Sequence, residues 1–443
     1  MNENSSESSL SRVRTRQLAH AQRRPSLARL FSWTLIGNVI YAACQWGMLV
    51  VLAKGGTVHD VGLFSLALAI TAPIFLMSNL QLRGILATDA ERTTSIGSYV
   101  GLRLGMTMIA VAASIGTALL APIDETTFII VLLVTVSKAA ESMSDIIYGW
   151  WQQHEKMDWC SLSLMMRGVL SLVVFGSFYQ TTGSLTIALI GYATVWVLLL
   201  LVWDWPLACR LPQFGLTLQW HDWGKLIVVC WPMGAVMLLV SLQTNVPRYV
   251  IAHYFGSEAV GYFSALMYVL VVGSTVVIAL GQSASPRIAQ ALASRERTSL
   301  IQLLRKLIAI VLVGSILLML IGMMWGRGLL LFLYSADYAQ YELLLLLLLV
   351  GATVGFIASI FGFVLTAARK FRSQLLISML AVVTTWLVHI ALIKLGLGQN
   401  SVAYALMAAN VVQAVGCGSV VFNMLRHMEA PKGKIEHERG VYV

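Results

Sequence analysis

The stretch LAKGGTVHDVGLFSLA, residues 52–67, aligns without a gap to IAHYFGSEAVGYFSAL, residues 251–266. Ala53/Ala252, Val61/Val260, Gly62/Gly261, Phe64/Phe263 and Ser65/Ser264 are identical, all at one offset of 199 residues. Each stretch joins two apolar runs through a loop of the same length. A repeat of that period in a chain of 443 residues divides it into two halves. The apolar runs on either side decide what kind of halves they are.

The chain is 58% hydrophobic and 11% charged, whereas a soluble domain carries about 25% charged residues. Apolar runs near the ~20 residues that a helix needs to cross hydrocarbon recur along its whole length. Nothing shows the short alternating pattern of a membrane β-barrel. The expected fold is an all-α polytopic membrane protein. Twelve helices are expected near 30–53, 61–82, 98–121, 126–150, 162–179, 185–207, 225–253, 259–282, 305–326, 342–368, 374–395 and 402–425. They form an N-terminal six-helix bundle over 30–207 and a C-terminal one over 225–425. A disordered basic cytoplasmic arm (1–29), a cytoplasmic linker (208–224) and a cytoplasmic tail (426–443) complete the chain.

Charge placement sets the orientation. The net charge is +10, and 23 of the 30 Lys and Arg fall in segments that are cytoplasmic when the N-terminus is inside. Lys54, Arg327 and Lys394 fall near the opposite side. This bias is the positive-inside rule, and it accounts for the basic charge without nucleic acid. Both termini are therefore expected in the cytoplasm. The arm is too long and polar for a signal peptide. Each half starts from the same side, so the repeats are parallel, related by an axis along the membrane normal. That layout points to a transporter whose path lies between two rocking bundles.

The loops exclude other classes. The outer loops are too short for an external catalytic domain. The cytoplasmic loops are too small for a nucleotide-binding domain, and no GxxxxGK[ST] motif is present. Neither an enzyme nor a direct user of ATP is expected. Cys44, Cys160, Cys209, Cys230 and Cys417 have no metal-ligand spacing and are expected as free thiols, with no metal and no cofactor.

The run VTVSKAAESMSDIIYG, residues 134–149, places Lys138, Glu141 and Asp145 inside a span at i, i+3 and i+7, on one helical face. At about 1.5 Å per residue, Lys138 lies roughly 18 Å deep. A charge there costs about 2.5–3.5 kcal/mol even on the gentlest scale, so this face looks into protein or a watered cavity. It either lines a substrate path or holds bundles together as a self-neutralising pair. Arg103 and Arg167, about six residues inside the cytoplasmic edge, either partner Asp145, collect an anion, or snorkel to the interface. Arg248 follows Pro247, and Pro232 and Pro247 are expected to kink or break their span. Arg248 then either serves transport or anchors the outer end of the helix. Asn38, Gln45, Gln243, Asn245 and His389 are further lining candidates, or bridge helices. Tyr148, Trp150 and Trp151 are read as interfacial belt and packing.

Four segments carry a family resemblance: MSDIIYGWWQQHEKMDWCSLSLMMRGVLSL (143–172), NLQLRGILATD (79–89), TNVPRYVIAHYFGSEAVGYFSA (244–265) and LFLYSADYAQYELLLLLL (331–348). In order and spacing they resemble Wzx-type oligosaccharide-lipid flippases, the polysaccharide-transport branch of the MOP superfamily, over roughly residues 30–425. The resemblance implies a MATE-like fold in the bacterial inner membrane. It implies movement of an undecaprenyl-pyrophosphate-linked oligosaccharide to the outer leaflet, through a cationic cavity, for O-antigen, capsule or exopolysaccharide. Lys138, Arg103, Arg167 and Arg248 would supply the charge. Implied partners are the lipid-linked oligosaccharide, membrane lipids, and a polymerase or chain-length regulator, with proton or sodium coupling left open. The rival readings are an ion-coupled exporter of a drug or peptidoglycan lipid precursor on the same fold, and a non-transporting scaffold of a polysaccharide assembly complex.

Overall fold

The computed structural model of the chain describes residues 27–88, 94–154, 156–368 and 370–428. The expected arm through residue 26 and the tail from residue 429 lie outside them. The described residues are helical throughout, with no strand among them. The helices are α1 (Leu27–Gly55), α2 (Val58–Ser78), α3 (Leu82–Thr88), α4 (Ile96–Leu120), α5 (Glu125–Gln153), α6 (Met157–Thr182) and α7 (Leu185–Leu199). A π-helical turn, Leu200–Asp204, leads into α8 (Trp205–Ala208). There follow α9 (Trp220–Ala293), α10 (Arg297–Leu333), α11 (Ala336–Ala339), α12 (Glu342–Ala367), α13 (Phe371–Lys394) and α14 (Ser401–His427).

Local signals set several boundaries. Ser95 caps α4 by accepting from the Ser98 N–H, and Asp124 caps α5 by accepting from the Thr127 N–H. Gly183, at φ 65°, closes α6 in the left-handed conformation that suits glycine. The long stretch α9 is not one rod. Arg248 touches Phe263 and Ser264, yet a straight helix would set residues 16 apart about 24 Å from each other. The chain folds back at Gly256 (φ 81°, ψ 179°), the one non-helical residue inside α9. Pro232 and Pro247, expected to kink or break this span, do not break it, since both keep helical dihedrals. The reversal needs positive φ, which glycine adopts freely and proline cannot.

Eleven described helices are long and apolar enough to cross a membrane. One of them, Asp222–Ile278, contains the Gly256 reversal. The expected twelve is reached only when its two arms are counted separately. Many large apolar side chains point outward, such as Leu120 at 90% and Phe332 at 75% exposure, as a lipid-facing surface requires.

The contacts divide the chain into two compact units. Unit 1 comprises Met1–Met48 and Ser78–Gly234; unit 2 comprises Leu49–Met77 and Ala235–Val443. In unit 1 a core of Leu82, Tyr99, Ile146, Trp151 and Cys160 joins α3 through α6. Trp150 and Trp151, read as partly belt residues, are buried there at 3% and 0% exposure. In unit 2, α14 packs against both α12 and α13. A core of Ile288, Leu300, Ile360 and Val421 draws in α9 and α10.

Unit 2 also contains both copies of the repeated stretch, and they pack against each other. A Cβ on Gly62 would land on the Ser257 carbonyl oxygen, and one on Gly261 would land on the Val58 carbonyl oxygen. Each pair is the other shifted by 199 residues. The backbone contact is therefore its own image under a pseudo-two-fold, and the absence of side chains at these two positions permits the approach.

Candidate functional site

The charged face of α5 is assembled with α3 and α4 inside unit 1. Between α2 and α3 the chain turns through Leu80 (φ 49°) and Gln81 (φ 53°), a conformation that L residues seldom adopt. The turn lays α3 on α5 where Gly149 has no side chain; a Cβ there would lie 3.1 Å from the Arg83 Cα. Arg83 thereby reaches Asp145 Oδ1 at 3.4 Å and covers the Tyr148 ring at 5.6 Å. From α4, Arg103 donates to Asp145 Oδ2 at 3.0 Å and to Asn79 Oδ1. Ser142 donates to the same Asn79 oxygen at 2.7 Å and shares a hydrogen bond with Thr107 at 3.0 Å. The Arg103 side chain is fully buried, while those of Asp145 and Arg83 are 28% and 32% exposed. Two guanidiniums share one carboxylate, which leaves a surplus positive charge on the exposed side of the cluster.

Unit 1 holds two further ion pairs. Lys138 Nζ bonds Glu141 Oε2 at 2.6 Å, with both side chains accessible, at 24% and 38%. Arg167 Nη2 meets Asp204 Oδ2 at 2.5 Å, with essentially no exposure of either group. Arg167 also donates to Ser144, and its guanidinium lies 4.7 Å from the Trp196 ring centre. Ser163 donates to Asp204 at 2.7 Å. Asp204 ends the π-helical turn, a local widening of the helix often found where a side chain must be re-aimed. The structure separates what the sequence left open: Arg103 partners Asp145, Arg167 partners Asp204, and neither snorkels.

Unit 2 holds a different arrangement. Arg248 Nε donates to Ser264 Oγ at 3.1 Å, and Nη1 donates to the Thr244 carbonyl at 3.0 Å and to Asn245 Oδ1 at 2.9 Å. Its guanidinium lies 5.8 Å from the Phe263 ring centre. Among the described residues it has no carboxylate partner; the four ion pairs are those of unit 1. Every acceptor it has among the described residues is neutral. Ser264 is an identity of the internal repeat, so a repeated position serves as its seat.

The uncharged candidates disperse. Asn38, exposed, donates to its own helix at Thr34 O. Gln45 is half-buried, and its buried Nε2 lacks a partner among the described residues. Gln243 bridges α9 to Gln413 of α14 at 2.9 Å, and Asn245 joins Arg248 to Ser241. His389 is fully buried, and neither ring nitrogen finds a partner among the described residues. All five cysteines are free, and no group of three His, Cys, Asp or Glu could hold a metal among the described residues.

Two contributors were not picked from the sequence. Arg83 reads as a loop charge, because no Gly or Pro marks the turn before it. Asp204 sits in LVWDWP (201–206) at a span end, where a carboxylate looks interfacial. Unit 1 also bears an apolar groove of about 520 Å³ between α4, α5 and the α7–π turn. Its lining includes Met108, Val111, Ala139 and Val197, and one polar residue, Thr107. Thr107 is also the start of the hydrogen-bonded chain through Ser142 and Asn79 to Arg103.

The chain is similar to known proteins. Residues 27–292 match the family described as polysaccharide biosynthesis protein, and residues 232–392 match the MatE family. The chain is 25% identical over 360 residues to the capsular polysaccharide biosynthesis protein CapF of Staphylococcus aureus, covering 80% of this chain and 89% of CapF. Among solved structures it resembles the inward-facing form of a multidrug resistance MATE family transporter of the MOP superfamily. The TM-score is 0.73 at 13% identity, over 90% of this chain and 100% of that one. It also resembles the lipid II flippase MurJ in an inward closed conformation, with a TM-score of 0.71 at 13% identity over 89% of each chain. At such identities these structures establish the fold, which is MATE-like.

Proposed function

The chain belongs to the polysaccharide biosynthesis protein family, a transporter family of the MOP superfamily, and from that premise we propose that it flips an undecaprenyl-pyrophosphate-linked oligosaccharide from the cytoplasmic to the outer leaflet of the bacterial inner membrane. The observation that carries this reading is Arg248: a cation within a membrane-spanning stretch whose acceptors among the described residues are all neutral. An intramembrane charge is costly and is retained where it meets a counter-charge. Here the counter-charge arrives with the cargo, as the pyrophosphate. The Arg83–Arg103–Asp145 cluster supplies a second surplus charge. The apolar groove of unit 1 supports a cargo with a hydrocarbon part. CapF, a relative named for capsular polysaccharide biosynthesis, supports a polysaccharide precursor as the polar part.

The proposed route is alternating access, with both termini cytoplasmic, a placement the basic-residue bias supports. The Lys138–Glu141 pair is the proposed place of proton or sodium coupling, since it is the most accessible of the one-to-one pairs. Handover to a polymerase and a chain-length regulator follows from the proposed product.

The test is leaflet exchange of a fluorescent undecaprenyl-pyrophosphate oligosaccharide in liposomes. Arg248→Met should slow exchange about ten- to a hundredfold, the worth of one charge-assisted hydrogen bond, and Arg248→Lys should restore part of it. Exchange at the wild-type rate in folded Arg248→Met would refute the role of Arg248. Absence of exchange in the wild type would refute the flippase.

A further inference from the structure

The four charges and the groove leave the sugar of the cargo unrecognised. A second cavity in unit 2, about 250 Å³ and apart from every ion pair, has the chemistry for it. It lies where the segment between α10 and α12 meets the turn between α13 and α14, and is lined by Gln340, Tyr341, Leu343, Leu344, Gln399 and Asn400.

The walls are built rather than loose. The α13–α14 turn uses two left-handed glycines, Gly396 (φ 85°) and Gly398 (φ 57°). They bring the chain into the 3-10 turn Gly398–Asn400, and Ser401 Oγ closes it by donating to the Gly398 carbonyl at 2.6 Å. The opposite wall is pinned by tyrosines. Tyr334 donates to the Ala265 carbonyl at 2.9 Å, and Tyr262 packs on Tyr338 and Tyr341 with centroids 5.2 and 4.4 Å away. Gln340 Nε2 is fixed to the Asp337 carbonyl at 2.9 Å.

Asn400 stands at the N-cap of α14, where an asparagine ordinarily accepts from the first helical N–H groups. It makes no such bond, and its amide has no partner among the described residues. Asn400 is part of the cavity lining. The Tyr341 phenol and the Gln399 amide are hydrogen-bonded to each other, and the donors and acceptors that this bond and the Gln340–Asp337 bond leave over lie together with the Asn400 amide, beside the apolar faces of Leu343 and Leu344. No charged side chain lines the cavity. An anion or a cation would find no counter-charge. An apolar ligand would leave amides unpaired, at about 1–3 kcal/mol each. A ligand whose groups both donate and accept, and which carries a C–H face, satisfies every wall.

We propose that this cavity binds a neutral sugar ring. The inference rests on the proposed cargo and names the part of it recognised here. The test uses the full chain in nanodiscs, with saturation-transfer NMR against glucose, galactose, mannose and N-acetylglucosamine as probes. At least one should bind saturably. Asn400→Asp, which keeps shape but removes the donor, and Gln399→Ala should each weaken it about tenfold, the loss of one or two hydrogen bonds. Gly116→Ala, in open space on α4, should leave binding unchanged. No saturable binding by any probe, or binding equal to wild type in both cavity variants, would overturn the inference. Binding intact in a wild type that exchanges no lipid would overturn the flippase reading alone.

Discussion

Asp204→Ala should be among the most damaging single substitutions in unit 1. The carboxylate has no exposure and accepts from Arg167 at 2.5 Å and from Ser163 at 2.7 Å. Its removal strands a buried guanidinium whose Nε and Nη1 already lack partners among the described residues. Breaking one side of such a pair costs about 3–5 kcal/mol. Arg167→Met strands the carboxylate and should cost a similar amount, so the singles would sum to about 6–10 kcal/mol. The double variant Arg167→Met/Asp204→Leu buries no charge. Ser163 keeps its bond to Tyr148, and Ser144 loses the one from Arg167, about 1–3 kcal/mol. The double should therefore be more stable than either single. Equilibrium unfolding in mixed micelles, followed by tryptophan fluorescence, measures all three; Trp196 is 4.7 Å from the guanidinium and reports the site. Costs that simply add in the double variant would refute the reasoning, because the penalty would then not come from an unpaired charge.

Gly62→Val and Gly261→Val should each lower stability by about 1–3 kcal/mol through overpacking against a carbonyl. Gly116→Ala, with open space around it, should be neutral or stabilising by up to about 1 kcal/mol; thermal unfolding compares the three. Asp124→Ala should cost about 1 kcal/mol by removing the α5 cap, read as faster hydrogen exchange in its first turn. The hydrogen bond from Thr127 holds the Asp124 carboxyl below its ordinary range. The cap is therefore fully present above the unfolded carboxyl's pKa and is lost as pH falls through the lower folded value. Glu141→Gln and Lys138→Gln should change stability by less than about 1 kcal/mol, as an accessible pair does. They should nevertheless flatten the dependence of leaflet exchange on a pH gradient; an unchanged dependence would remove the pair from coupling.

Apolar length made the spans readable, because hydrocarbon thickness fixes how many residues a helix needs. The loop between 253 and 259 was readable, since the repeat marks it as the equivalent of the loop after the first span, but the packing of one copy against the other was not. The proline-bearing span misled, because the dihedrals that reverse a chain belong to glycine even where proline stands nearby. Charges along one helix were visible by spacing, as for Lys138 and Glu141. Partners on other helices were not: Arg83 depends on two left-handed residues with no sequence signature, and Asp204 on a π turn that spacing cannot reveal. The absence of a carboxylate beside Arg248 is a property of packing alone. In the sequence it is one of four intramembrane cations that look alike.

The contact between the two hairpins has a bearing on ancestry. A surface that meets its own copy through the same backbone atoms is what a symmetric homodimer uses. In a half-length chain with this hairpin, a single glycine would do the work that Gly62 and Gly261 share. In one chain the copies are free to differ, and they do: Ser257 is hydrogen-bonded to His59 at 2.7 Å, while the mirrored positions hold Val58 and Glu258 and cannot form that bond. The glycines have not diverged, since either replacement lands on the other copy's main chain. The inheritance of this fold is thus written in backbone, and its specialisation in the side chains hung around it.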